Sequence, residues 1–122
     1  MINKSSSQIL IVEDEPSICF LLKDFLSLYE LHSIIVQNPS NIDKIIEQNQ
    51  FSLALLDYGL PNLNGLDIAE IIRKKEKDCY IVLMTGWFPQ IDDIRTQLVD
   101  NILHKPFQLE ELRRILDEQG FT

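Results

Sequence analysis

Four short stretches of the chain are apolar at every position: Ile9-Leu10-Ile11-Val12, Leu53-Ala54-Leu55-Leu56, Ile81-Val82-Leu83-Met84 and the shorter Ile102-Leu103. Unbroken rather than alternating runs predict parallel strands covered on both faces. Between them the spacing turns helical. Pro16 suits a first helical position, and Ile18, Leu21, Leu22, Phe25 and Tyr29 predict a helix from Pro16 to Tyr29. Leu31 to Val36 is rich in β-branched residues and predicts a second strand. Ser40, with Asp43 three residues on, is the expected cap of a helix carrying Ile42, Ile45 and Ile46.

Phe51 to Leu56 predicts the third strand, and Asn64 with Asp67 predicts the cap of a helix whose inner face is Leu66, Ile68, Ala69 and Ile72. A fourth strand over Tyr80 to Met84, a short fourth helix marked by Ile91, Ile94 and Leu98, a short strand over Ile102 to His104 and an amphipathic helix carrying Leu109, Leu112, Ile115 and Leu116 complete the series. The acids Glu110 and Glu111 suit the first turn of that last helix. Strict alternation of strand and helix predicts an α/β fold: a doubly wound, five-stranded parallel sheet flanked by five helices.

Five polar residues stand at the ends of the apolar runs: Glu13, Asp14, Asp57, Thr85 and Lys105. In a parallel sheet, ligands bind beyond the carboxyl ends of the strands, so all five are expected at one edge. Three carboxylates crowded together stay partly protonated or bind a cation, and oxygen ligands that leave room for water and phosphate favour Mg²⁺. Asp57, at the end of the central strand, is the candidate nucleophile, because a carboxylate accepts a phosphoryl group as an aspartyl phosphate. Lys105 would neutralise the phosphoryl oxygens and Thr85 would bond one of them. The plainer alternatives are that Glu13 and Asp14 cap the first helix, and that Asp57, Thr85 and Lys105 are turn, loop and surface residues.

Composition narrows the partners. A chain of 122 residues fits one domain, with Met1 to Ser7 as a flexible leader and 8–122 as the folded unit. Nothing resembles a signal peptide or a membrane span, so a soluble, cytoplasmic protein is expected. A net charge of −8 argues against direct nucleic-acid binding. Cys19 and Cys79 lack metal or redox spacing and read as reduced structural thiols, and His32 and His104 as isolated surface or strand-edge residues. The run Arg73, Lys74, Lys75 and Lys77 reads as a solvated helix end.

Taken in order, Val12-Glu13-Asp14-Glu15-Pro16, Leu56-Asp57-Tyr58-Gly59-Leu60-Pro61-Asn62-Leu63-Asn64-Gly65, Met84-Thr85-Gly86 and Lys105-Pro106-Phe107 resemble the receiver domain of two-component response regulators, a flavodoxin-like family, from Ile9 to about Gln119. The resemblance implies strand order 2-1-3-4-5 and Asp57 as the phosphoacceptor. It implies Asp14 as a direct Mg²⁺ ligand, Glu13 acting through water and Gly59 as a carbonyl ligand. It also implies a cis Lys105-Pro106 bond and a sensor histidine kinase or histidine phosphotransfer protein as phosphodonor. Catalysis would be confined to the chain's own phosphorylation and dephosphorylation, with signalling by conformational change through the fourth and fifth helices.

The family often places an aromatic residue three positions before the lysine, where this chain has Ile102, and the stretch from Thr85 to Lys105 is slightly short. The usual threonine-to-aromatic switch is therefore unexpected. Trp87 either overlooks the site, where its emission would report Mg²⁺ and phosphorylation, or packs on Phe88 and Pro89. Two other readings stand beside the leading one. A Mg²⁺-dependent aspartyl-phosphate phosphatase would carry Asp-x-Asp and a cap, whereas here Glu15-Pro16 follows Asp14. A degenerate receiver acting as an interaction module has Ile102 in its favour.

Overall fold

The computed structural model describes residues 8–60, 62–86 and 94–122. The leader, Pro61 and the residues Trp87, Phe88, Pro89 and Ile91 lie outside them. Five strands, β1 (Gln8–Val12), β2 (Ser33–Val36), β3 (Phe51–Asp57), β4 (Tyr80–Thr85) and β5 (Asn101–His104), form one parallel sheet in the order β2-β1-β3-β4-β5. Among the described residues, four α-helices accompany it: α1 (Pro16–Ser27), α2 (Ile42–Gln48), α3 (Gly65–Lys75) and α4 (Leu109–Glu118).

The unbroken apolar runs arise from burial on both faces. Leu10, Val12, Ala54, Leu56, Ile81 and Leu83 pack with α2 and α3, while Ile9, Ile11, Leu53, Leu55, Val82 and Met84 pack with α1 and α4. Every residue of β3 is buried. Neighbouring residues on each strand therefore serve different cores.

The first helix stops at Ser27, earlier than Tyr29, and Glu30 takes a left-handed conformation (φ 60°). This lets the Leu31 amide donate to the Leu26 carbonyl at 3.1 Å, closing the helix before β2. The Ser40 cap is replaced by Asn38. Its side chain accepts from the Ser40 amide at 3.1 Å and opens a 3₁₀ turn, Pro39–Asn41, that leads into α2. The Asn64–Asp67 capping box of α3 is present as expected.

Among the described residues, the expected five helices are four, and the fourth helical segment is a 3₁₀ turn, Ile94–Leu98. The cause lies just beyond it. The Asp100 amide donates to the Ile81 carbonyl at 2.7 Å and the Asp100 carboxylate accepts from the Ile81 amide at 2.8 Å, pinning the chain to the start of β4. Arg73 on α3 holds the Leu98 carbonyl at 3.0 Å and Asp100 at 2.6 Å. The last turn is fixed from both sides. No helix among the described residues is long and apolar enough to cross a membrane.

Candidate functional site

The carboxyl ends of β1, β3, β4 and β5 bring the five strand-end residues to one edge. Glu13 follows β1 directly and is 1% exposed, Asp57 ends β3 at 5%, and Thr85 ends β4 at 4%. Asp14 is exposed beside them. Buried polar groups of this kind are retained where something satisfies them. Here Lys105, entering just after β5, ion-pairs with Glu13 Oε1, and its Nζ stands 3.4 Å from Asp57 Oδ1. The Lys105 amide donates to the Thr85 carbonyl at 2.7 Å, and the Lys105-Pro106 bond is cis.

Backbone amides add two further contacts. Glu13 Oε2 accepts from the Glu15 amide at 3.1 Å, and Asp57 Oδ1 also accepts from the Gly59 amide at 3.0 Å. Asp57, Tyr58, Gly59, Leu60, Asn64, Thr85, Gly86 and Lys105 line one open cleft of about 510 Å³. Carboxylate oxygens of Glu13, Asp14 and Asp57 lie within 4.8 Å of one another. Three hard oxygen donors at this separation, one of them exposed, fit a divalent cation that keeps some of its waters.

The electrostatics follow from burial and pairing. Burial pushes the Glu13 carboxyl above its ordinary range, and the neighbouring Asp57 charge adds to this; the Lys105 hydrogen bond and the Glu15 amide pull the other way. For Lys105, burial favours the neutral amine, but the Glu13 hydrogen bond and the Asp57 charge outweigh it and hold the ammonium's pKa above normal. The ammonium is thus present wherever the carboxylates are.

The cysteines behave as structural thiols. Burial, with the charges of Glu13 and Asp14, pushes Cys19 up to about 11, and burial pushes Cys79 up to about 12. Cys19 Sγ donates to the Glu13 carbonyl at 3.1 Å. Both histidines are exposed. In the basic run at the end of α3, Lys74, Lys75 and Lys77 are exposed as expected, whereas Arg73 is half-buried and binds the Leu98, Lys77 and Cys79 carbonyls; Lys75, though exposed, is also bonded. Lys75 Nζ bonds the carbonyls of Ile46, Glu47 and Asn49 at 2.5, 3.0 and 2.5 Å, closing the C-terminal end of α2.

Gly65 belongs to the site although the sequence marked it only as turn chemistry. A Cβ there would lie 2.9 Å from the Asp57 carbonyl oxygen and 2.6 Å from Leu83 Cδ1, so only glycine lets α3 begin directly against the Asp57 backbone. Ile102 packs with Leu98 and Val99 against the cluster under α3.

The model for the response regulator receiver domain matches residues 9–117, and the chain belongs to that family. It is similar to the response regulator TrrA of Thermotoga maritima, at 31% identity and a TM-score of 0.81 over 92% of this chain and 97% of that one, in a structure in complex with Mg²⁺-BeF. A second structure has TrrA in complex with the histidine kinase ThkA, at a TM-score of 0.79 over the same shares of the two chains. The chain is also 29% identical over 116 residues to the autoinducer 1 sensor kinase/phosphatase LuxN of Vibrio campbellii, covering 94% of this chain and 14% of LuxN. It is 33% identical over 111 residues to the response regulator ArlR of Staphylococcus haemolyticus, covering 87% of this chain and 49% of ArlR. The chain thus spans a small part of the first and about half of the second.

Proposed function

We propose that the unit 8–122 takes a phosphoryl group from a phosphohistidine on a sensor histidine kinase or phosphotransfer protein onto Asp57, and signals by the conformational change that follows. The observation that carries this reading is the acceptor's setting. Asp57 is buried at the end of β3, its Oδ1 held by the Gly59 amide and faced by Lys105, with Oδ2 as the oxygen for attack. In the transfer, that oxygen bonds to phosphorus as the P–N bond breaks and its electron pair returns to the imidazole. Lys105 stabilises charge on the phosphoryl oxygens, and Thr85 bonds one of them.

Asp14, Asp57 and the Gly59 carbonyl would hold Mg²⁺, with Glu13 acting through water. The ion would neutralise the phosphoryl oxygens, which otherwise meet three carboxylates. The ThkA–TrrA complex supports the choice of donor. Catalysis is confined to loading and hydrolysis of Asp57 itself. Incubation with Mg²⁺ and acetyl phosphate should add one phosphoryl group, and chelation should stop it. Labelling of Asp57→Asn at full yield would overturn the assignment, and sustained turnover of donor beyond stoichiometric labelling would favour a phosphatase.

A further inference from the structure

Asp67 uses its two carboxylate oxygens for different purposes. Oδ2 accepts from the Asn64 amide at 2.9 Å, closing the capping box of α3, while Oδ1 accepts from Arg95 Nη1 at 2.5 Å. Arg95 lies in the Ile94–Leu98 turn and also reaches Glu70 at 3.4 Å. The box it supports is the corner where Asn64 lines the acceptor cleft and Gly65 abuts the Asp57 carbonyl. Arg95, Asp67 and Asn64 thus form a series of polar contacts that ends at Gly65, which sits so near the Asp57 carbonyl that a Cβ would not fit.

The other end of the same segment is held as well. Arg73 binds the Leu98 carbonyl and Asp100, so α3 and residues 94–100 are tied at two places. Thr85 and Lys105, which belong to the cleft, flank this connection in sequence. Movement of the connection relative to α3 must alter the Arg95–Asp67 contact, and that contact bears on the corner behind the acceptor.

We propose that Arg95 is a positioning residue for the phosphoacceptor, acting through Asp67 and the Asn64–Gly65 corner, and that it thereby couples the 94–98 segment to phosphorylation. The inference rests on Asp57 being the acceptor. It supplies a route from cleft to surface that needs no aromatic side chain at position 102. Coupling between two sites is reciprocal, so weakening the contact must change the affinity for a phosphoryl analogue if the two are linked.

The test is titration of the intact chain with Mg²⁺ and beryllofluoride, with thermal unfolding measured in parallel. Asp67→Asn keeps an oxygen for the Asn64 amide and loses the charge, and Arg95→Met removes the cation. Each should change the analogue's dissociation constant by roughly two- to fivefold, the range a partly exposed ion pair can carry. The double variant should match either single one, since both remove the same contact. Arg95→Lys should recover at least half of the change. Arg113→Met, which removes an exposed arginine paired within α4, should bind as the wild type does. A wild-type constant in Arg95→Met overturns the coupling alone, even if its melting temperature falls. A wild type that fails to bind the analogue overturns the acceptor assignment and the coupling together.

Discussion

The Lys105 ammonium is bound to the Glu13 carboxylate and stands 3.4 Å from Asp57, joining the ends of the first, third and last strands of the sequence. The pair places the cation where charge develops on an incoming phosphoryl group, so its energetic role differs between the resting and reacting site.

Lys105→Met should therefore act in opposite directions on two measurements. Cation affinity, followed by calorimetry, should rise severalfold because a competing positive charge leaves the carboxylates. The rate of labelling by acetyl phosphate should fall at least about tenfold, because a preorganised charge is lost. Stability should drop by on the order of 1–2 kcal/mol, the cost of leaving a buried carboxylate without its partner, reduced by Lys105's partial exposure. Weaker cation binding would contradict the assigned electrostatics.

Gly65→Ala should destabilise the fold by about 1–3 kcal/mol in urea unfolding, as overpacking does. Leu83 can swing away from the new methyl group, but the Asp57 carbonyl cannot do so without moving the acceptor. Labelling should slow as well. Unchanged stability and rate would refute the close approach.

The thiol shifts set a pH window. Both folded values, about 11 and about 12, lie above the ordinary 9.0, so the unfolded chain loses these protons first. Stability from the neutral thiols is complete below pH 9 and declines as pH rises from there towards 11–12. Cys79→Ala should flatten this alkaline decline in denaturant titrations. At pH 8 neither thiol of the native protein should react with a disulfide reagent, and both should react in denaturant.

Arg73→Met should cost about 1–3 kcal/mol, because the guanidinium satisfies the Leu98, Lys77 and Cys79 carbonyls and pairs with Asp100. Lys74→Met, at the adjacent exposed position, should change stability by less than about 0.5 kcal/mol. Equal effects at the two positions would place Arg73 on the solvated face with its exposed neighbours.

The sheet was legible because burial on both faces writes itself as unbroken apolar runs, and the acidic cluster was legible because strand ends in a parallel sheet converge. The Asn64–Asp67 box was readable from its own four residues. Arg73 and Lys75 were not, since their partners are mostly backbone carbonyls contributed by distant elements, and a carbonyl has no side-chain signature. The fourth helix failed for a similar reason. Apolar spacing at Ile94 and Leu98 is compatible with α or 3₁₀ winding, and the choice was made by Asp100's bonds to Ile81. Asn38 displaced Ser40 as a cap because the Pro39 turn begins three residues before the helix itself.

The burial of all seven residues of β3 has a consequence for where motion can occur. Its amides are the ones expected to exchange with solvent deuterium only through global opening. A nucleophile mounted at the end of such a strand is an anchored post. If chemistry arrives at the part of the molecule least able to yield, the response to it is expected at the rim of the sheet.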